Sequence, residues 1–256
     1  MLDINQPRKL GKLPVKHDPR TLKLSRFLTK PDLPPAPLTC DWTPKGAPYG
    51  MMLNDQLGDC GIAGMGHLEQ TWTGNTRSIW IPPDSLIGQL YQALGGYVPG
   101  DPSTDNGTVL LDNLKYWKNT GLYDGAHKIG GFASINIASQ MEFQLGVYLF
   151  GGVYLGVGLP ATAQNQTSWS VVPNAGPDGE PGSWGGHCVC AMTYDAISAT
   201  VISWGEKVPM TWDFYHRYFD EAYVVFNEEW LAESGNSPSG FNKPALLAAL
   251  NSVPEA

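Results

Sequence analysis

The sequence predicts an α+β chain whose helix-rich first half is followed by a β-rich second half. Three observations carry this expectation. Apolar residues recur at three- and four-residue intervals between positions 59 and 149, short β-branched and aromatic runs alternate with turn-forming segments from 153 onward, and a proline-rich basic stretch without periodicity precedes both.

The first helix is expected to start at Asp59, a residue type suited to an N-cap. Ile62, Met65, Leu68 and Trp72 then form one apolar stripe, which puts Cys60 in the first helical turn. Further helices are expected near 85–94, 109–117 and 139–149. Strands are expected at 153–157, 187–194, 200–204 and 222–226, forming an antiparallel sheet or small barrel. Trp212, Phe214, Tyr215, Tyr218 and Phe219 fall on a short helix and read as core packing. Residues 164–186 form a long Gly/Pro/Asn-rich connection ending in Gly182-Ser183-Trp184-Gly185-Gly186, the kind of loop that borders a site. The expected organisation is a basic extended arm over 1–38, a helical lobe over 39–135, a β-rich lobe over 136–230 and a C-terminal tail with a short helix over 231–256.

With 256 residues, 42% of them hydrophobic, the chain is long enough to bury a substantial core. The net charge of −8 hides an asymmetry. Eight Lys/Arg against three Asp make the first 40 residues +5, so the body is strongly acidic. Such an arm can dock on its own body, on a partner subunit or on nucleic acid. No glycine-rich phosphate cradle precedes a helix, so nucleotide chemistry is not expected, and of the three docking options nucleic acid is the least expected. The first ten residues hold no apolar run of signal-peptide length, and nowhere is there an uncharged apolar stretch of membrane-spanning length. A soluble protein, cytoplasmic or virion-associated, with no signal peptide and no membrane partner is expected. Four cysteines, Cys40, Cys60, Cys188 and Cys190, are few for a secreted scaffold and fit a reducing compartment.

The chemistry centres on Cys60. A thiol at the N-terminus of a helix sits beside free backbone N–H groups and the positive end of the dipole, which favour the thiolate. It then requires a base, a group that orients the base and an oxyanion donor. His187, following Gly185-Gly186 at the head of a strand, supplies an imidazole. His67, two helical turns past Cys60, reads as a packing or capping residue. Read alone, a Cys at a helix start is more often a small buried hydrophobe. Cys188 and Cys190 alternate away from His187 and do not form a zinc pattern with it, so no metal and no cofactor is expected.

The run Asp41-Trp42, Lys45-Gly46-Ala47, Gly58 and Cys60 resembles, without a gap, the Asp-Trp, Lys-Gly-Ala, Gly-Ser-Cys run of papain-like cysteine peptidases. Gly185-Gly186-His187 and Ser203-Trp204-Gly205 resemble that family's His strand and Asn-Ser-Trp-Gly turn. The resemblance implies a two-lobe fold, with a helical lobe carrying Cys60 facing an antiparallel β-rich lobe carrying His187. It implies a thiol protease or amidase, a hydrolase of peptide or protein substrates that passes through a thioester. Carried over position by position, it makes Cys60 the nucleophile and His187 the base. The oxyanion donor six residues before the Cys is Asn54, with Gln56 as the alternative. The residue sixteen after the His is Ser203, standing where the family has an orienting Asn. Gly58, Gly186 and Trp204 fall where substrate is bound and the His is shielded. The chain departs from the family pattern at Gly61, which replaces a Trp, at Ile202, and at Asp59, whose charge opposes a thiolate unless spent on the helix cap. The Asp-Cys-Gly triplet also resembles bacteriocin-leader peptidases of the same clan. The rival expectation is a weakened papain-like scaffold, a phage or bacterial structural protein such as a virion component, tied to neighbouring subunits through residues 1–38.

Overall fold

The computed structural model describes residues 3–26, 28, 35–122, 126–232 and 234–240. Most of the tail expected at 231–256 therefore lies outside the described residues. In chain order the elements are β1 (Leu22–Lys23), β2 (Cys40–Asp41), α1 (Cys60–Thr76), α2 (Asp84–Gly95), α3 (Leu110–Asn119), β3 (Gly131–Ser134), α4 (Gln140–Phe150), β4 (Val153–Leu159), β5 (Gly185–Tyr194), β6 (Ser198–Ser203), β7 (Glu206–Thr211), α5 (Trp212–Tyr218) and β8 (Phe219–Phe226).

The eight strands form one sheet in the order β1-β3-β8-β4-β5-β6-β7, with β2 on the far end of β5. Pairing is antiparallel except between β1 and β3, where Leu22 and Lys23 run parallel to Ala133 and Ser134. That pair departs from the purely antiparallel sheet expected. It arises because the N-terminal segment returns along the sheet edge instead of forming a hairpin.

Period-2 alternation sends the two faces of the sheet to two cores. Val189 and Ala191 of β5 pack with Phe143, Val147 and Phe150 of α4 and with the aromatics of α5. Cys188, Cys190 and Met192 pack instead on α1, α2 and α3, against Ile62, Met65, Leu68, Leu90 and Trp117. Coverage on both sides explains why β4 and β5 are almost wholly apolar. Helix α1 is buried over most of its length, with Ile62, Met65, Leu68 and Trp72 fully buried. No helix among the described residues is long and apolar enough to cross a membrane.

The link between β6 and β7 positions the site. Ser203 pairs with Glu206, and the two residues between them, Trp204 and Gly205, have φ of 48° and 73°. Two successive positive φ values are the signature of a type I′ hairpin turn, where Gly is usual and Trp is strained. A Cβ on Gly205 would also press against the Gly50 backbone.

Candidate active site

Cys60 opens α1, and its thiol meets the sheet one residue past His187. The Cys188 backbone N–H donates to Cys60 Sγ at 3.3 Å. Small residues on the first turns of α1 permit this approach, since a Cβ on Gly64 would crowd the thiols of Cys188 and Cys190. All four cysteines are free, buried thiols. Asp59 occupies the cap position, but its side chain makes no capping bond. Its Oδ1 instead accepts from Asn54 Nδ2 at 3.2 Å, and Oδ2 is buried without a partner. Burial, the largest influence, lifts this carboxyl well above the usual range. Burial thus disfavours the negative charge beside Cys60, and the expected capping bond is not made.

His187 lies near the start of β5. Its Nε2 lies 2.9 Å from Ser203 Oγ, sixteen residues on in sequence. The imidazole stacks on Trp204, with ring centroids 4.3 Å apart and planes 14° from parallel. Trp204 is held in turn by Trp169 and Trp184. Nδ1 of His187 is buried and makes no hydrogen bond. Asn54, Cys60, His67, Cys188, Ser203 and Trp204 line one narrow crevice. Within it, Asn54 directs Nδ2 at Leu57 O, 3.0 Å away, as well as at Asp59. His67 bonds Gly50 O at 2.9 Å and lies edge-on to Tyr49, which is the packing role expected of it. Ile202 faces the α1 core, so the side chain that follows it, Ser203, is the one available to the imidazole. Gly61 is small because Asn113 Nδ2 and Thr108 Oγ1 stand where a larger side chain would go, and its carbonyl accepts from Tyr154 Oη at 2.9 Å.

Residues 8–13 close the cleft. Lys9 N–H donates to Asn54 O at 3.0 Å, and Trp204 Nε1 donates to Lys9 O at 3.1 Å. Lys12 N–H donates to Gly186 O at 3.1 Å, while Thr108 N–H donates to Gly11 O at 2.8 Å and Leu13 N–H to Thr108 O at 2.9 Å. The segment is therefore laced to both walls, and the Gly11 backbone N–H is directed at the Cys60 thiol. The approach is so close that a Cβ on Gly11 would overlap the Gly58 carbonyl, and one on Gly186 would overlap the Lys12 carbonyl. All three residues expected to bind substrate, Gly58, Gly186 and Trp204, touch this segment.

Charge fixes it further. Lys12 Nζ is buried between Asp220, at 2.8 Å, and Glu221, at 3.5 Å. The Arg8 guanidinium lies 5.0 Å from the Trp184 ring centroid and 5.2 Å from that of Trp204, and donates to Gln164 O at 2.8 Å. Farther on, Lys16 pairs with Asp112 and Lys115 with Asp18. Cys60 and His187 are each only 1% exposed under this cover. Burial pushes the Cys60 thiol up to about 12, with the Cys188 N–H opposing, and pushes His187 down to about 3, helped by Arg8. The pair is neutral in this form.

Sequence reasoning missed Gly11, Lys12, Thr108, Asp220 and Glu221. The basic arm on an acidic body was the available signal, but the decisive contacts are backbone to backbone, and residue types do not encode those.

No family model matches the sequence, and no curated protein matches it. Solved structures do. The fold is similar to that of xylellain, a cysteine protease from Xylella fastidiosa, with a TM-score of 0.65 at 14% identity over 89% of this chain and 99% of that one. It is similar to procathepsin L 3 of Tenebrio molitor larval midgut, with a TM-score of 0.54 at 9% identity over 87% and 76% of the two chains. Bromelain from Ananas comosus, solved with the inhibitor E64, gives 0.51 at 15% identity over 75% and 100%. With five helices and an eight-stranded sheet among the described residues, the chain has the two-lobe α+β fold of the papain-like cysteine proteases.

Proposed function

We propose that this chain is a cysteine peptidase or amidase of the papain type, held closed by its own residues 8–13. The observation that carries the reading is the state of His187. One ring nitrogen is bonded to Ser203, the ring is stacked on Trp204, and the other nitrogen is buried without a partner.

In the opened form, Cys60 Sγ attacks a peptide or amide carbonyl and its proton passes to His187 Nδ1. Nε2–H then donates to Ser203 Oγ and steadies the imidazolium. The backbone N–H of Cys60, at the first residue of α1, faces the developing oxyanion. Asn54 joins it only after its amide turns away from Leu57 O and Asp59. The imidazolium returns its proton to the leaving amine as the C–N bond breaks, leaving a thioester on Cys60. A water activated by His187 then hydrolyses the thioester and regenerates the thiol.

The second reading, a retired scaffold working through its arm, is favoured by one observation: thiol and imidazole are both buried and neutral. The two readings separate on Cys60 labelling by an epoxide thiol probe, mapped by mass spectrometry. Enzyme chemistry predicts that a variant with a loosened arm labels fast, and that His187→Ala on the same background abolishes the acceleration at neutral pH. Equal, slow labelling in every form, with no hydrolysis of a peptide library, would leave the scaffold reading standing.

A further inference from the structure

Far along α1 from the thiol, Glu69 is fully buried, a costly place for a carboxylate. Its Oε1 accepts from Asn227 Nδ2 at 3.3 Å, while Oε2 is buried with no hydrogen bond and faces His127 Nδ1 at 3.6 Å. Glu229 reaches the same imidazole, with Oε1 2.8 Å from Nδ1, and its Oε2 is also buried without a hydrogen bond. One ligand atom from each of Glu69, His127 and Glu229 lies within 4.8 Å of the others.

The three side chains come from separate parts of the chain, and each is held from behind. Glu69 sits mid-helix in α1. Glu229 lies in a 3-10 turn, Glu228–Trp230, whose first residues are fixed by the Asn227 side chain accepting from the Glu229 N–H at 2.9 Å. Thr76 Oγ1 ties the same turn to α1 through Glu229 O at 2.7 Å. His127 has φ of 51°, uncommon for a residue with a side chain. It is kept there by Trp117 Nε1 donating to its carbonyl at 2.8 Å and by Trp80 stacked on the ring at 3.9 Å. Strain of this kind persists only where the surroundings over-determine it.

We propose that Glu69, His127 and Glu229 form a binding site for one divalent transition-metal ion of the Zn2+ type. Two carboxylates and one imidazole nitrogen suit such an ion better than Mg2+ or Ca2+, which prefer all-oxygen sets. Ligands on a tetrahedral ion at about 2.0–2.2 Å need only a modest contraction of this cluster, and a fourth position stays open to water. The ion supplies one common partner to the two buried Oε2 atoms. Asn227, on the other oxygen of Glu69, acts as the outer support that orients the ligand. Bound there, the ion pins the middle of α1 to the turn after β8 and to the segment before β3.

The test is titration of the folded full-length chain with Co2+ and with Zn2+, following the cobalt visible spectrum and the thermal midpoint, in the wild type and in Glu69→Gln, Glu229→Gln, Asn227→Ala and Cys60→Ala. One ion per chain is expected, with an oxygen and nitrogen spectrum lacking any thiolate charge-transfer band and a midpoint that rises with Zn2+. Binding should be lost in Glu229→Gln and Glu69→Gln, weakened about 10- to 100-fold in Asn227→Ala, and unchanged in Cys60→Ala. Glu229 is partly exposed, so its variant keeps the test valid if Glu69→Gln fails to fold. Absence of saturable binding, a thiolate band, or binding that survives Glu229→Gln would each overturn the proposal.

Discussion

Lys12→Ala should open the cleft. Its Nζ, only 3% exposed, sits between Asp220 and Glu221, and the Glu221 carboxylate, 4% exposed, keeps only the Tyr223 hydroxyl at 2.8 Å once the lysine is gone. Removing one partner of a buried pair costs about 3–5 kcal/mol, because the charge left behind is uncompensated. That cost applies only while residues 8–13 stay docked, since lifting the segment lets water reach Glu221. At the lower figure, and about 1.4 kcal/mol per decade, the open population should rise about 100-fold. The assay is the rate of Cys60 labelling by an epoxide or haloacetamide probe at neutral pH. Exchange between closed and open forms faster than labelling makes that rate proportional to the open fraction. Lys12→Ala combined with Glu221→Gln should give back part of the acceleration, because no orphaned charge remains to be relieved. A Lys12→Ala rate within threefold of wild type would refute the reasoning and mean that the segment is held by its backbone bonds alone.

Three further outcomes follow from the same geometry. Ser203→Ala, on the opened background, removes the one hydrogen bond that the His187 ring makes among the described residues and should lower kcat/KM by about 5- to 150-fold, from about 1–3 kcal/mol for a lost bond that leaves a buried group unpaired; unchanged kinetics would deny Ser203 an orienting role. Trp204→Ala strips the cover from His187 and should cost about 3–5 kcal/mol of stability, whereas Trp204→Gly, freed of the positive-φ penalty, should be the less damaged of the two by about 1 kcal/mol; calorimetry in parallel decides the order. On acidification, His187, held down to about 3, and His67, held down to about 4, are neutral in the fold but protonate in the unfolded chain near pH 6.5. Their contribution is therefore complete above pH 6.5 and is lost as pH falls towards 3, at about 1.4 kcal/mol per pH unit for each group while both lag; a thermal midpoint flat between pH 6.5 and 5 would contradict it.

The helices and central strands were legible because their apolar spacing is unambiguous. Ile62, Met65, Leu68 and Trp72 are all fully buried on α1, and β4 and β5 read as apolar runs because both their faces are covered. Strand β7 was not legible. Glu206, Lys207 and Pro209 look like a loop, and they are tolerated because β7 ends the sheet, where a proline breaks no ladder. Short β3 carries too few residues to show a period. At the site, counting from His187 to Ser203 found the imidazole's partner. Asp59 was legible as a boundary and not as a chemistry, because its cap position follows from sequence while the upward shift of its carboxyl follows from burial. The cover over the cleft was invisible in detail, since Lys12 to Gly186 and Gly11 to Thr108 are joined by main-chain atoms.

The parallel pairing of β1 with β3 gives that cover a kinetic character of its own. Residues 22–23 are stitched to the sheet edge about ten residues downstream of the blocking segment, so a lifted segment stays on a short tether and does not diffuse away. A ligand on such a tether experiences an effective concentration on the order of millimolar, set by its length and not by how much protein is present. Closure is then a first-order event, indifferent to dilution. On the proposed peptidase reading, any peptide offered in trans has to outcompete that standing local excess before it meets the thiol.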